Sequence, residues 1–73
     1  MESVDFMKRI EFENLKENDV VFDSEGYYIF VGWYNNQVAD FKELIYNEEK
    51  EDFDVSDNLC RCTYQDLKKA YIA

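Results

Sequence analysis

Residues 27–34, Tyr-Tyr-Ile-Phe-Val-Gly-Trp-Tyr, limit the folds open to this chain more than any other feature. All eight are aromatic, β-branched or glycine, the residue types that fit a pleated surface, and the run is apolar on both faces. A turn cluster, Asp23-Ser24-Glu25-Gly26, precedes it. Tyr34-Asn35-Asn36-Gln37 follows, and asparagine tolerates the left-handed backbone that a tight hairpin demands. Alternation puts Tyr27, Ile29, Val31 and Trp33 on one face of this strand, and Tyr28, Phe30 and Tyr34 on the other with Gly32. Only one face can line a small core. With the first set inside, Tyr28 and Tyr34 stand outside, with Tyr46 beside them across the hairpin. Alternatively, the terminal helix or the N-terminal segment covers that second face.

Strand patterns surround this run. Val20-Val21-Phe22 enters from a polar turn at residues 15–19, and residues 38–46 run back as a third strand with Ala39, Phe41 and Ile45 on one face. Asn47-Glu48-Glu49-Lys50 turns again. Residues 51–55 alternate as a fourth strand, Ser56-Asp57-Asn58 breaks the run, and residues 59–62 suit a last short strand. Thr63 with Asp66 three residues on resembles a capping box, and Tyr64, Leu67 and Tyr71 fall at helical spacing. A helix over 64–72 is expected, docked on the sheet.

The start reads two ways. Ser3 can cap a short helix carrying Phe6, Met7 and Ile10, whereas Arg9-Ile10-Glu11-Phe12-Glu13 alternates as a strand does. The second reading is preferred: a strand over 8–13 after a mobile start or short helix at 1–7. No proline, repeat or low-complexity stretch marks a linker, so residues 1–73 form one expected domain. The fold class is mainly β, a small antiparallel barrel of four to five strands with a short C-terminal helix.

The order of elements carries a resemblance. Leu15-Lys16-Glu17-Asn18-Asp19-Val20-Val21-Phe22-Asp23, an aliphatic-aromatic hairpin, a charged strand and a short terminal helix look like small SH3-like barrel domains. The likeness covers residues 15–73. Asn18 departs from it, since such barrels commonly carry glycine there. The resemblance implies architecture and, because many such barrels are binding modules, a binding role.

Composition then separates function classes. The chain carries 17 Asp and Glu against 8 Lys and Arg, a net charge of −9 over 73 residues. A chain this acidic with few aromatics would be disordered. Its six Phe, six Tyr and one Trp supply the missing core. Phosphate backbones and anionic membranes both attract Lys and Arg, so neither nucleic acid nor a membrane is an expected partner. The start lacks the basic and apolar regions of a signal peptide, and no apolar run approaches the roughly 20 residues of a membrane span. A cytoplasmic location with reduced thiols is expected.

No residue set carries chemistry unaided. Histidine, the commonest general base, is absent. Cys60 and Cys62 read as small apolar groups on one face of a strand, and Arg61 with the helix start would lower a thiol pKa only slightly. A metal at Cys60-x-Cys62 would lack two further ligands within one chain. Asp52, Asp54 and Asp57 lack the glycine-bearing turn of a calcium loop. No catalytic residue, cofactor or metal is therefore expected, and the chain does not read as an enzyme.

The acids are concentrated. Glu43, Glu48, Glu49, Glu51, Asp52, Asp54 and Asp57 lie within fifteen residues against one cation, Lys50. On a strand, Asp52 and Asp54 stand about 6.8 Å apart on one face. Each DNA strand carries one charge per about 3.4 Å of axis, so rows of carboxylates on a sheet can imitate a phosphate track. Ordinary solubility explains the same charge. The expected function is a non-catalytic, protein-binding domain. Its sharper form is a phage- or plasmid-encoded inhibitor that blocks a basic nucleic-acid groove on a host protein such as a nucleic-acid enzyme. Glu48, Glu51, Asp52 and Asp54 would steer and pair, while Tyr28, Tyr34 and Tyr46 anchor. The alternative is a small structural or regulatory subunit whose aromatic face makes a homodimer or joins an assembly.

Overall fold

The structure, a computed structural model, describes residues 6–73. The expected cap at Ser3 lies outside them, as does most of the 1–7 segment. The elements are α1 (Arg9–Glu13), β1 (Val20–Phe22), β2 (Tyr27–Trp33), β3 (Ala39–Asn47), β4 (Asp52–Cys62), α2 (Tyr64–Leu67) and β5 (Tyr71–Ile72). All strand pairs are antiparallel, in the order β4-β3-β2-β1-β5. This is one open sheet with β4 and β5 at its edges. Closure into a barrel is not seen among the described residues.

The strand expected over 8–13 is instead α1. In a strand, Ile10 and Phe12 would share a face; in a helix, two residues at 3.6 per turn stand about 200° apart. Ile10 is 67% exposed and Phe12 only 3%. The Glu11 carboxylate accepts the Lys8 backbone N–H at 2.8 Å, which fixes the helix start. At the other end the Asn14 side-chain amide donates to the Ile10 carbonyl at 2.7 Å.

The terminal helix is also shorter than its spacing implies, and it is not C-terminal. Asp66 accepts from the Thr63 backbone N–H at 2.8 Å and from its hydroxyl at 3.1 Å, so the expected cap forms. The helix then stops after one turn, and residues 71–72 pair with β1 (Phe22 with Tyr71, Val21 with Ile72). A backbone bond from Ala73 N to the Val20 carbonyl, 2.8 Å, extends the pairing. Without it one side of β1 would expose unpaired backbone groups.

Turn chemistry sets the remaining boundaries. Asn18, where the resemblance implies glycine, has φ 77°, and asparagine is among the few L-residues that visit this region routinely. In the 23–26 turn, Asp23 Oδ1 accepts from the N–H groups of Glu25 and Gly26 at 2.8 and 3.1 Å. The β2–β3 turn works differently from the expected left-handed asparagine. Asn35 Oδ1 accepts from Gln37 N and Val38 N at 2.8 and 2.9 Å, and neither Asn35 nor Asn36 has positive φ. Ser56-Asp57-Asn58 does not break the sheet either. β4 runs through it as one strand, with the register irregular between Lys42 and Leu44 of β3.

The core lies on one face, where α1 and α2 both pack. Met7, Phe12, Leu15, Val21, Phe30, Ala39, Phe41, Leu67 and Ala70 are buried. The inward face of β2 is thus the Tyr28–Phe30 face, and the face bearing Tyr27 and Ile29 points away. A bulge at Val31, between the Phe30–Phe41 and Gly32–Asp40 pairs, then resets the alternation. Trp33 consequently pairs with Ala39 and packs edge-on to Phe12 and Phe30, with centroids 5.2 and 5.5 Å apart.

Candidate protein interface

The seven residues singled out in the sequence divide into two groups. Glu48 and Glu51 lie in the β3–β4 turn, and Asp52 and Asp54 open β4, so the four carboxylates gather at one end of the molecule. Asn47 Oδ1 organises the turn by accepting from the N–H groups of Glu49 and Lys50 at 3.0 and 3.3 Å. Glu51 closes it at φ 55°, a left-handed conformation unusual for a side chain of this kind. Glu48, Glu49, Glu51 and Asp52 are all exposed.

Asp54 is not a free carboxylate. Its two oxygens accept from Asn47 Nδ2 and Lys50 Nζ, each at 2.9 Å. The Asn47 amide first, and then Lys50, hold its carboxyl below the usual carboxylate range. The hydrogen bond to Asp54 correspondingly raises Lys50. Asp54 therefore braces the turn, and the charge offered to a partner is that of Glu48, Glu49, Glu51 and Asp52.

The three tyrosines do not form a common face. Tyr28 points towards the core and packs against it half-buried, with burial raising its pKa and Asp23 adding to the effect. Tyr34 sits beyond the far end of β2, under the Arg61 guanidinium at 3.9 Å from the ring centroid. Arg61 is held there by Asp40 at 3.2 Å. Only Tyr46 stands beside the carboxylates, 52% exposed. Even so, its cross-strand partner is Phe53, while Asp54 opposes Ile45 and Asp52 opposes Asn47. Asp52 and Asp54 thus project from the core-side face, and Tyr46 from the other.

What sequence reasoning missed is an aromatic band on that other face. Phe6, Tyr71, Phe22, Tyr27, Phe53 and Tyr46 follow one another with centroid separations of 5.0–5.3 Å, crossing all five strands. Alternation gave Tyr27 its face-mates along β2, but these contacts run across strands and need the register. The one legible signal was the aromatic character of Phe22 and Tyr27 on either side of a tight turn.

The two thiols lie on the core face of β4, opposite Phe41 and Ala39, and both are free. Burial, with Asp66 next, pushes the Cys62 thiol up to about 11, so it is protonated at neutral pH. With Tyr28, Phe41 and Leu67 they line a shallow cleft of about 210 Å³. Among the described residues no group of three or more His, Cys, Asp or Glu can hold a metal ion, and no helix is long and apolar enough to cross a membrane.

Fold and surface together define a small acidic β-sheet domain with an aromatic outer face. The chain matches no protein-family model, no curated protein and no solved structure.

Proposed function

We propose that this chain is a non-catalytic protein-binding domain that presents its acidic β3–β4 hairpin to a basic surface of the kind that holds nucleic acid. The observation that carries this reading is the gathering of Glu48, Glu49, Glu51 and Asp52 as exposed carboxylates on one hairpin end, with Lys50 turned back onto Asp54. Charge so concentrated steers a basic partner from a distance and weakens with salt. Occupying a groove lined by Arg and Lys would exclude nucleic acid from it, which is the action of an inhibitor. The SH3-like relationship belongs to the same inference. It is supported by the β1–β4 meander, the single turn of α2 and the return of β5 to β1.

The test is affinity capture from a nuclease-treated bacterial lysate, with wild type and the Glu48→Gln/Glu51→Gln/Asp52→Asn variant as baits. The expected result is a nucleic-acid enzyme retained at low salt, released at raised salt, displaced by added DNA and lost with the variant. Capture that the variant leaves unchanged, or no captured protein, would sink the reading.

A further inference from the structure

The outer sheet face is polarised along its strands. At one end it carries Arg61, paired with Asp40, and then Lys42. Its middle is apolar: Leu59, Val55, Leu44, Ile29 and Tyr27. Its other end carries Tyr46 and Phe53, next to the carboxylates of the β3–β4 turn. Among the described residues the acids on this face are Asp40, which Arg61 neutralises, and Asp57, which lies between Val55 and Leu59; Asp52, Asp54 and Glu43 alternate onto the core side.

We infer that this face is the interface of a homodimer, two copies stacking their outer faces about a two-fold axis with strands running in opposite directions. Three observations select a second copy as the occupant. The first is charge: in that arrangement the acidic turn of each copy lies over Lys42 and Arg61 of the other, so an isologous contact is self-complementary. The second is area. Phe6, Tyr27, Tyr46 and Phe53 are 40–52% exposed, with Val55 at 54% and Leu59 at 48%. At roughly 200 Å² per aromatic side chain, these residues expose on the order of 500 Å² per copy. Full coverage by two copies would bury about 1,000 Å² from these residues, the lower bound for a biological interface and in the range of a weak dimer.

The third observation is the position of the remaining charge. A basic partner would be drawn to the hairpin end and the core side, where the carboxylates are, and not to a face on which Arg61 and Lys42 offset Asp40 and Asp57. Stacked sheets lie about 10 Å apart, beyond the roughly 8 Å over which charge acts at physiological salt. The acids on the core sides of the two copies therefore interact weakly across the interface. This inference does not rest on the partner reading, and its test uses the purified chain alone.

Sedimentation equilibrium of the full chain at neutral pH and about 0.15 M salt is expected to show a monomer–dimer equilibrium with a dissociation constant in the micromolar range. Phe53→Glu, at an exposed position that tolerates polarity, should weaken it at least about tenfold, which is about 1.4 kcal/mol. Lys42→Glu should weaken it several-fold, and Ile45→Ser, exposed on the opposite face, should leave it unchanged. In NMR spectra the Tyr27 and Tyr46 ring signals should shift with concentration, while those of Trp33 stay fixed. A chain monomeric at millimolar concentration overturns the inference. So does a dimer that Phe53→Glu or Lys42→Glu leaves intact, or one that Ile45→Ser dissociates.

Discussion

Phe30 and Trp33 are three residues apart in one strand, yet both face the core, their ring centroids 5.5 Å apart. Strict alternation forbids this, and the bulge at Val31 permits it by adding one residue to β2 against β3. The consequence is an aromatic cluster in which Phe12 of α1 meets Trp33 edge-on at 5.2 Å and Tyr64 of α2 at 5.9 Å. One ring thus ties both helices to the sheet.

Phe12→Ala is accordingly expected to destabilise the fold by about 3 kcal/mol or more, the range for emptying a phenylalanine site in a core. Urea denaturation followed by Trp33 fluorescence measures it. Because Phe12 lies against the indole, the native emission should also shift to longer wavelength. An unchanged midpoint would mean that α1 is not part of the cooperative unit.

The strands were legible in the sequence and their faces were not. Val20-Val21-Phe22 and residues 27–34 announce themselves by β-branched and aromatic content between turn residues, and the structure places β1 and β2 there. Which face of β2 turns inward depends on α1, whose sequence alternates like a strand; its helical form is fixed by one Glu11 contact and by the burial of Phe12 rather than Ile10. The acidic hairpin was equally legible, since charge density needs no register. Its separation from the tyrosines was not, because Tyr28 and Tyr34 are placed by the inward face and by the Arg61 contact, both tertiary.

The end of the chain shows the same limit with a testable consequence. Tyr64, Leu67 and Tyr71 share helical spacing, but Tyr71 gains more by joining β1, where it packs between Phe6 at 5.0 Å and Phe22 at 5.3 Å. Removing residues 71–73 should therefore cost about 2–3 kcal/mol, from the lost pairing of β1 and two aromatic contacts. A chain ending in a frayed helix would lose almost nothing. Chemical denaturation of the truncated chain distinguishes these outcomes, and faster amide exchange at Phe22, the partner of Tyr71, would locate the loss.

Glu51 holds a left-handed backbone at φ 55° that glycine adopts without steric penalty. The L-residue penalty there is about 1–2 kcal/mol, and glycine's extra freedom in the unfolded chain offsets about 0.4–1 kcal/mol of the gain. Glu51→Gly should therefore stabilise the domain by about 0.5–1 kcal/mol, read as a higher urea midpoint at unchanged slope. Asn18→Val should act in the opposite direction, since a β-branched residue at φ 77° is strained. A destabilised Glu51→Gly would show that the Glu51 side chain contributes a contact outweighing its backbone strain.

Cys62 gives a pH dependence whose sign follows from its burial. Its thiol titrates at about 11 in the folded chain against an ordinary value of 9.0, with burial the main cause and Asp66 next. Between those values the unfolded chain has released its proton while the folded chain keeps it, so stability is intact below pH 9 and falls as pH rises towards 11. Tyr28, raised in the same direction from 10.0 by burial and Asp23, adds to the fall above pH 10. Cys62→Ala should flatten the decline between pH 9 and 11, although its loss of packing lowers stability at every pH. In a Cys60→Ser background, the remaining thiol should react slowly with iodoacetamide at pH 7.5 and progressively faster as pH approaches 11. Fast labelling at neutral pH would show a thiolate there, and would make Cys62 a nucleophile rather than part of the core wall.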